Sequence, residues 1–149
     1  MSIFEQINED IKKAMLAKEK EKLEALRAVK AAFLLAKTDG GNSELTYEKE
    51  VQILQKLIKQ RKDAAEIYRT QNRPDLYETE EFQAQIISQY LPKQLSPEEL
   101  KEEVQKIVTE LGASSLKDMG RVMAEANKRL AGRTESKLIA DAVKGILGA

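Results

Sequence analysis

The feature that most limits what this chain can fold into is the stretch from Thr46 to Gln71, which holds no glycine or proline and repeats its apolar residues at helical spacing. Plotted at about 100° per residue, Ile53, Leu54, Leu57, Ile58, Ala64, Ala65 and Tyr68 share one sector. The pattern predicts a helix of roughly 25 residues, or ~37 Å at ~1.5 Å per residue. No segment alternates with period two for long enough to argue for a strand. The expected fold class is all-α: an N-terminal helical bundle-like part with a long helical hairpin, plus a small C-terminal three-helix part.

The remaining helices follow from their punctuation. Ser2 and Glu5 have capping-box spacing, and Ile3, Ile7 and Ile11 line one face of a first helix. A second helix carries Leu23, Leu26, Val29 and Phe33 and is expected to stop in the loop-forming run Lys37-Thr38-Asp39-Gly40-Gly41-Asn42-Ser43. Pro74 fits the first turn of a fourth helix that runs to about Gln89, and Leu91-Pro92 ends it. Ser96-Pro97-Glu98-Glu99 combines an N-cap serine, a proline at the first helical position and a glutamate at the third. The helix it opens has Leu100, Val104, Ile107 and Leu111 on its core face and Gly112 past its end. Ser115 with Asp118 caps a helix bearing Met119, Val122, Met123, Ala126 and Leu130. Gly132 breaks that helix, and Thr134 opens the last one with Leu138, Ile139, Ala142, Val143 and Ile146. The expected division is a helical domain over 1–91, a linker over 92–96 and a three-helix domain over 97–149.

Composition narrows function more than fold. The 149 residues are 42% hydrophobic, 34% charged and 5% aromatic, with 25 basic and 25 acidic side chains and neither Cys nor His. Disulfides, thiolate or imidazole metal sites, cysteine nucleophiles and imidazole-based triads are therefore excluded. No Gly-rich phosphate loop or nucleophile elbow is present, so no cofactor, metal or catalytic residue is expected. The longest unbroken apolar run, Ala31 to Ala36, is far shorter than the ~18 residues a spanning helix needs. No membrane or export segment is expected, and the chain reads as cytoplasmic.

Two places collect charge in a way that bears on function. Arg61 falls inside the apolar sector of the long helix, where an unpaired guanidinium would be prohibitively costly. If the third and fourth helices form an antiparallel hairpin bending near Asn72-Arg73, Arg61 comes level with Gln83, and Glu80 lies in the same stripe. Two readings fit: a structural polar network of Arg61, Glu80 and Gln83, or an anion pocket between the helices. The basic residues around it, Lys56 to Arg73, face an acidic run from Asp75 to Glu81, which favours mutual neutralisation over polyanion binding.

The second place is the C-terminal part. Residues 97–116 hold two basic and five acidic side chains, whereas 117–149 hold seven basic and four acidic. Within that basic segment Gly120-Arg121 and Gly132-Arg133 set guanidinium groups beside positions with no side chain, an arrangement suited to phosphate. The candidate nucleic-acid-binding residues are Lys117, Gly120, Arg121, Lys128, Gly132, Arg133 and Lys137. Close helix packing at Gly120 and a simple helix end at Gly132 are the alternative reading, and the one the sequence favours.

These motifs also carry a resemblance. Lys59-Gln60-Arg61-Lys62-Asp63, Asn72-Arg73 with Asp75-Leu76, Tyr90-Leu91-Pro92 with Gln94-Leu95-Ser96, Asp118-Met119-Gly120-Arg121-Val122-Met123 and Gly132-Arg133 occur in order over nearly the whole length. The chain resembles the GatB/YqeY-like family, whose members of this size are similar to the helical tail of the B subunit of tRNA-dependent amidotransferase. That tail touches tRNA, so the resemblance implies an all-α protein in two parts with a link to tRNA. It does not imply amidotransferase catalysis, whose machinery lies elsewhere in the larger enzyme. Gln83 stands where the family pattern has glutamate, and Thr134-Glu135-Ser136 replaces an Ala-Asp-Gly after the Gly-Arg pair. The expected function is a non-catalytic tRNA-associated accessory module, with tRNA or a protein of the translation or amidotransferase machinery as partner. The alternative is a protein-interaction adaptor with no RNA role.

Overall fold

The computed structural model describes residues 1–39 and 44–148. Ser2 and Glu5 exchange the two capping-box hydrogen bonds at 3.1 and 3.4 Å and start α1 (Ile3–Leu16). Lys18, at φ 58°, turns the chain into α2 (Lys20–Thr38). That helix continues through Lys37 and Thr38, which had been expected in a loop, and ends at Asp39; the expected loop residues 40–43 lie outside the described residues. Thr46 caps α3 (Tyr47–Thr70), the longest element, and Asn72 takes the left-handed conformation at φ 56° before α4 (Pro74–Ser88). Asparagine tolerates that conformation because its short amide can bond locally. The N–H groups of Asn72 and Arg73 return to the carbonyls of Arg69 and Tyr68, so the bend completes the end of α3 and reverses the chain.

The described chain continues through α5 (Pro97–Leu111), a 3-10 turn at Leu116–Asp118, α6 (Met119–Arg129) and α7 (Ser136–Leu147). No strand occurs among the described residues, and the fold is all-α. The chain divides into two units, Met1–Leu91 and Pro92–Ala149. In the first, Ile3, Ile7, Leu26, Val29, Phe33, Val51, Leu54 and Ile87 form the core, with Phe4 tilted against Phe33 at 6.2 Å between centroids. Across its α3–α4 hairpin, Lys62 pairs with Glu81 at 2.9 Å. In the second, Leu100, Val104, Ile107, Val122, Ala126, Leu130, Ile139, Val143 and Leu147 pack together.

The last helix differs from its expected form. It starts at Ser136 rather than Thr134, with Glu135 at the N-cap and Thr134 buried before it. Leu138 is 48% exposed and Leu147 is buried in its stead, because the buried stripe follows the four-residue spacing Ile139, Val143 and Leu147 and Leu138 lies about 100° to one side of it. The expected linker also has a defined place. The Gln94 side-chain amide donates to the carbonyls of Pro92 (2.9 Å) and Gly132 (2.7 Å), and Leu95 N–H donates to the Arg133 carbonyl at 2.9 Å. Residues 92–95 are thus bonded to the turn after α6 and belong to the second unit.

Candidate nucleic-acid interface

Arg121 and Lys128, seven residues apart on α6, fall within about 20° of one another around the helix. Lys117 precedes them in the 3-10 turn, and Gly120, Ala124 and Ala131 are also exposed. A Cβ placed on Gly120 would meet nothing within 4 Å, so no helix crossing accounts for this glycine. Gly132 is different: it is buried, takes φ 78° and gives its carbonyl to Gln94. Its backbone conformation accounts for it, and the structure does not bring it to the surface beside Gly120.

The arginines of this unit are already engaged. Arg121 donates to the Leu111 carbonyl (2.9 Å), closing the end of α5, and pairs with Asp118 at 3.1 Å. The Asp118 carboxylate also accepts from the N–H groups of Ser114 and Ser115. These amides, Ser114 first, together with Arg121 outweigh desolvation and hold the carboxyl below its usual range. Arg129 bridges Glu110 at 2.6 Å and Glu125 at 2.7 Å. Arg133 donates to the Lys93 carbonyl at 3.4 Å. Lys117, Lys128 and Lys137 are exposed and make no ion pair among the described residues. The local excess of positive charge is therefore presented by lysines.

In the first unit, Arg61 Nε donates to Gln83 Oε1 at 2.9 Å and Nη1 to the Leu57 carbonyl at 3.2 Å, in a half-buried setting. Arg61 and Gln83 stand at equal sequence distance from Asn72. Glu80 is half-buried but has no hydrogen bond to Arg61 among the described residues, since it sits one turn nearer the bend. The rest of the basic block is largely paired within its own neighbourhood: Lys59 with Asp63, Arg69 with Glu66 and Arg73 with Asp75. A groove of about 430 Å³ opens on the α3–α4 hairpin, lined by Ile58, Lys62, Tyr77, Glu81 and Phe82 among others.

Two polar anchors escaped the sequence reading. Glu50 is only 2% exposed, and its carboxylate accepts the Phe4 N–H at 2.8 Å, at the start of α1. Tyr90 donates its hydroxyl to Asp10. Desolvation first, and then the Asp10 carboxylate, push the Tyr90 phenol above its usual range. Glu50 had the same signal as Arg61, a charged residue on the apolar stripe of the long helix. Tyr90 had none beyond its aromatic ring.

The arrangement defines an all-helical protein of two units, the second presenting exposed lysines that make no ion pair among the described residues and, among the described residues of the chain, no group of three or more acidic side chains able to hold a metal ion. Residues 4–147 match the family described as Yqey-like protein, and the chain belongs to that family. The family is also found as the C-terminal tail domain of the GatB subunit. Among curated relatives, three fungal proteins named "Altered inheritance of mitochondria protein 41, mitochondrial" are similar to it. That of Clavispora lusitaniae is 30% identical over 134 residues, covering 87% of this chain and 77% of the relative. That of Lachancea thermotolerans is 32% identical, covering 73% of this chain and 59% of the relative. For the Vanderwaltozyma polyspora protein the figures are 31%, 76% and 64%.

The cytoplasmic location expected from the sequence is overturned by these relatives, all named as mitochondrial proteins. The expectation leaned on the lack of a long apolar run, which bears only on crossing a membrane as a helix. Among the described residues no helix is long and apolar enough to do so. A mitochondrial address is carried by an amphipathic, Arg-rich segment rather than by the packing of a folded domain.

Proposed function

We propose that this protein is a non-catalytic accessory module that binds tRNA through the α6–α7 surface of its second unit. The observation that carries the reading is the set of exposed lysines Lys117, Lys128 and Lys137, which make no ion pair among the described residues while the arginines engage Asp118, Glu125 and Glu110. Lysine binds phosphate as a point charge, and a local excess of such charges gives affinity for a polyanion although the whole chain is neutral. Membership of a family also found as the GatB tail supports tRNA as that polyanion.

Electrophoretic mobility of tRNA at low salt tests this. About four phosphate contacts give a loss of affinity near a hundredfold between about 50 and 200 mM salt, from the release of counterions. The combined Lys117→Ala, Lys128→Ala, Lys137→Ala variant should bind weakly and lose most of that salt dependence. Absence of any shift at low micromolar protein would sink the reading.

The adaptor reading draws on the groove of the first unit, where Ile58, Tyr77 and Phe82 form an apolar floor beside Lys62 and Glu81. It predicts that Phe82→Glu abolishes capture of a specific protein while leaving tRNA binding intact. Unchanged capture by that variant would count against it.

A further inference from the structure

All seven aromatic residues, Phe4, Phe33, Tyr47, Tyr68, Tyr77, Phe82 and Tyr90, lie before residue 91, so the second unit contains none. This restricts how its basic surface can meet RNA. Single-stranded loops and ends are recognised by splaying bases onto aromatic rings or guanidinium planes and bonding their edges. No ring is available in this unit. Its three arginines already donate within the unit, Arg121 to Leu111 and Asp118, Arg129 to Glu110 and Glu125, and Arg133 to the Lys93 carbonyl. Stacking on a base or reading guanine through two bonds would have to give up these contacts. What remains is a set of exposed lysines, with the small residues Gly120 and Ala124 exposed on the helix that carries Lys128.

Resting on the tRNA reading above, we infer that the α6–α7 surface recognises the phosphate backbone of double-helical RNA, the stems of its ligand, and not unpaired bases. A duplex presents two regularly spaced lines of phosphate to a rigid helix, whereas a flexible single strand must be ordered before several lysines engage it at once. Stacking, which repays that ordering in single-strand binders, is missing here. Recognition should then be indifferent to sequence.

The experiment uses the full chain and two probes of equal nucleotide count: a blunt RNA duplex of about 20 base pairs and an unstructured uridine-rich strand. Affinity is read by fluorescence anisotropy at several salt concentrations. The duplex should bind at least tenfold more tightly, a second duplex of unrelated sequence should bind equally, and each of Lys117→Ala, Lys128→Ala and Lys137→Ala should lower the logarithmic salt slope by about 0.9. The triple variant should lose duplex affinity at least tenfold with little change for the single strand. Lysine-dependent binding of the single strand that equals or exceeds that of the duplex would overturn the inference and leave the tRNA reading standing. No binding of either probe, with no tRNA shift, would remove both.

Discussion

At the scale of single residues, the stability of the first unit depends on two buried or half-buried polar anchors. Glu50 sits in the first turn of α3, where the helix dipole favours a carboxylate, and reaches the N–H of Phe4 in the first turn of α1. One side chain thereby serves two helix starts. A hydrogen bond to a charged group contributes about 1.5–3 kcal/mol, so Glu50→Ala should lower the unfolding free energy by about 2 kcal/mol, measured by denaturant titration. Glu50→Gln, which keeps an acceptor oxygen, should lose clearly less; equal losses would mean that packing and not the bond sets the cost. Tyr90 gives a pH signature. Its folded pKa is raised above the usual 10.0, so the stabilisation is fully present below pH 10 and is lost as the pH climbs above that value. Tyr90→Phe should be less stable by about 1 kcal/mol at neutral pH and should lose stability less steeply in alkali. A variant with an unchanged alkaline profile would show that another group titrates there.

At the scale of elements, what could be read from the sequence depended on how local its cause was. The α5 helix was legible at both ends because its cap and stop are each contained in a few residues: Ser96 with Glu99, and Gly112 at φ 65°. The meeting of Arg61 with Gln83 was legible because a hairpin bend reduces it to counting from Asn72. Glu50 was not, since its partner Phe4 lies 46 residues away, and neither was the Arg121 bond to the Leu111 carbonyl. The start of α7 was misplaced because burial of Thr134 overrides its capping preference. For both glycines of the candidate site the sequence left ligand access and a structural role open, and the structure separates them. Gly120→Ala should stabilise α6 by about 0.5–1 kcal/mol, because an added methyl meets nothing and removes backbone freedom from the unfolded chain. The same methyl, raised on the surface beside Arg121, should weaken tRNA binding. Gly132→Ala should instead destabilise by about 1–2 kcal/mol, the cost of a left-handed alanine. Thermal denaturation of both variants separates the two roles, and a destabilised Gly120→Ala would return that glycine to packing.

At the scale of the whole molecule, the uneven distribution of aromatics offers a test of each unit by itself. Every tyrosine lies in Met1–Leu91, so near-ultraviolet dichroism and tyrosine fluorescence report on the first unit alone, while far-ultraviolet dichroism reports on both. The buried clusters also share no residue, one ending at Ile87 and the other beginning at Leu100. A unit the size of the second buries only about 60% of the surface its unfolded chain exposes, so small losses in its core are felt strongly. Ile107, 1% exposed, provides a graded perturbation. Ile107→Val removes one methylene at a cost of about 1 kcal/mol, which for a domain of roughly 60–100 residues lowers the midpoint by about 4–8 °C. The far-ultraviolet melting curve of this variant should gain or deepen a low-temperature phase, while the tyrosine signal should melt where it does in the parent. A tyrosine transition displaced by the same amount would show that the loss is shared across the chain and that the two cores do not respond as separate cooperative units.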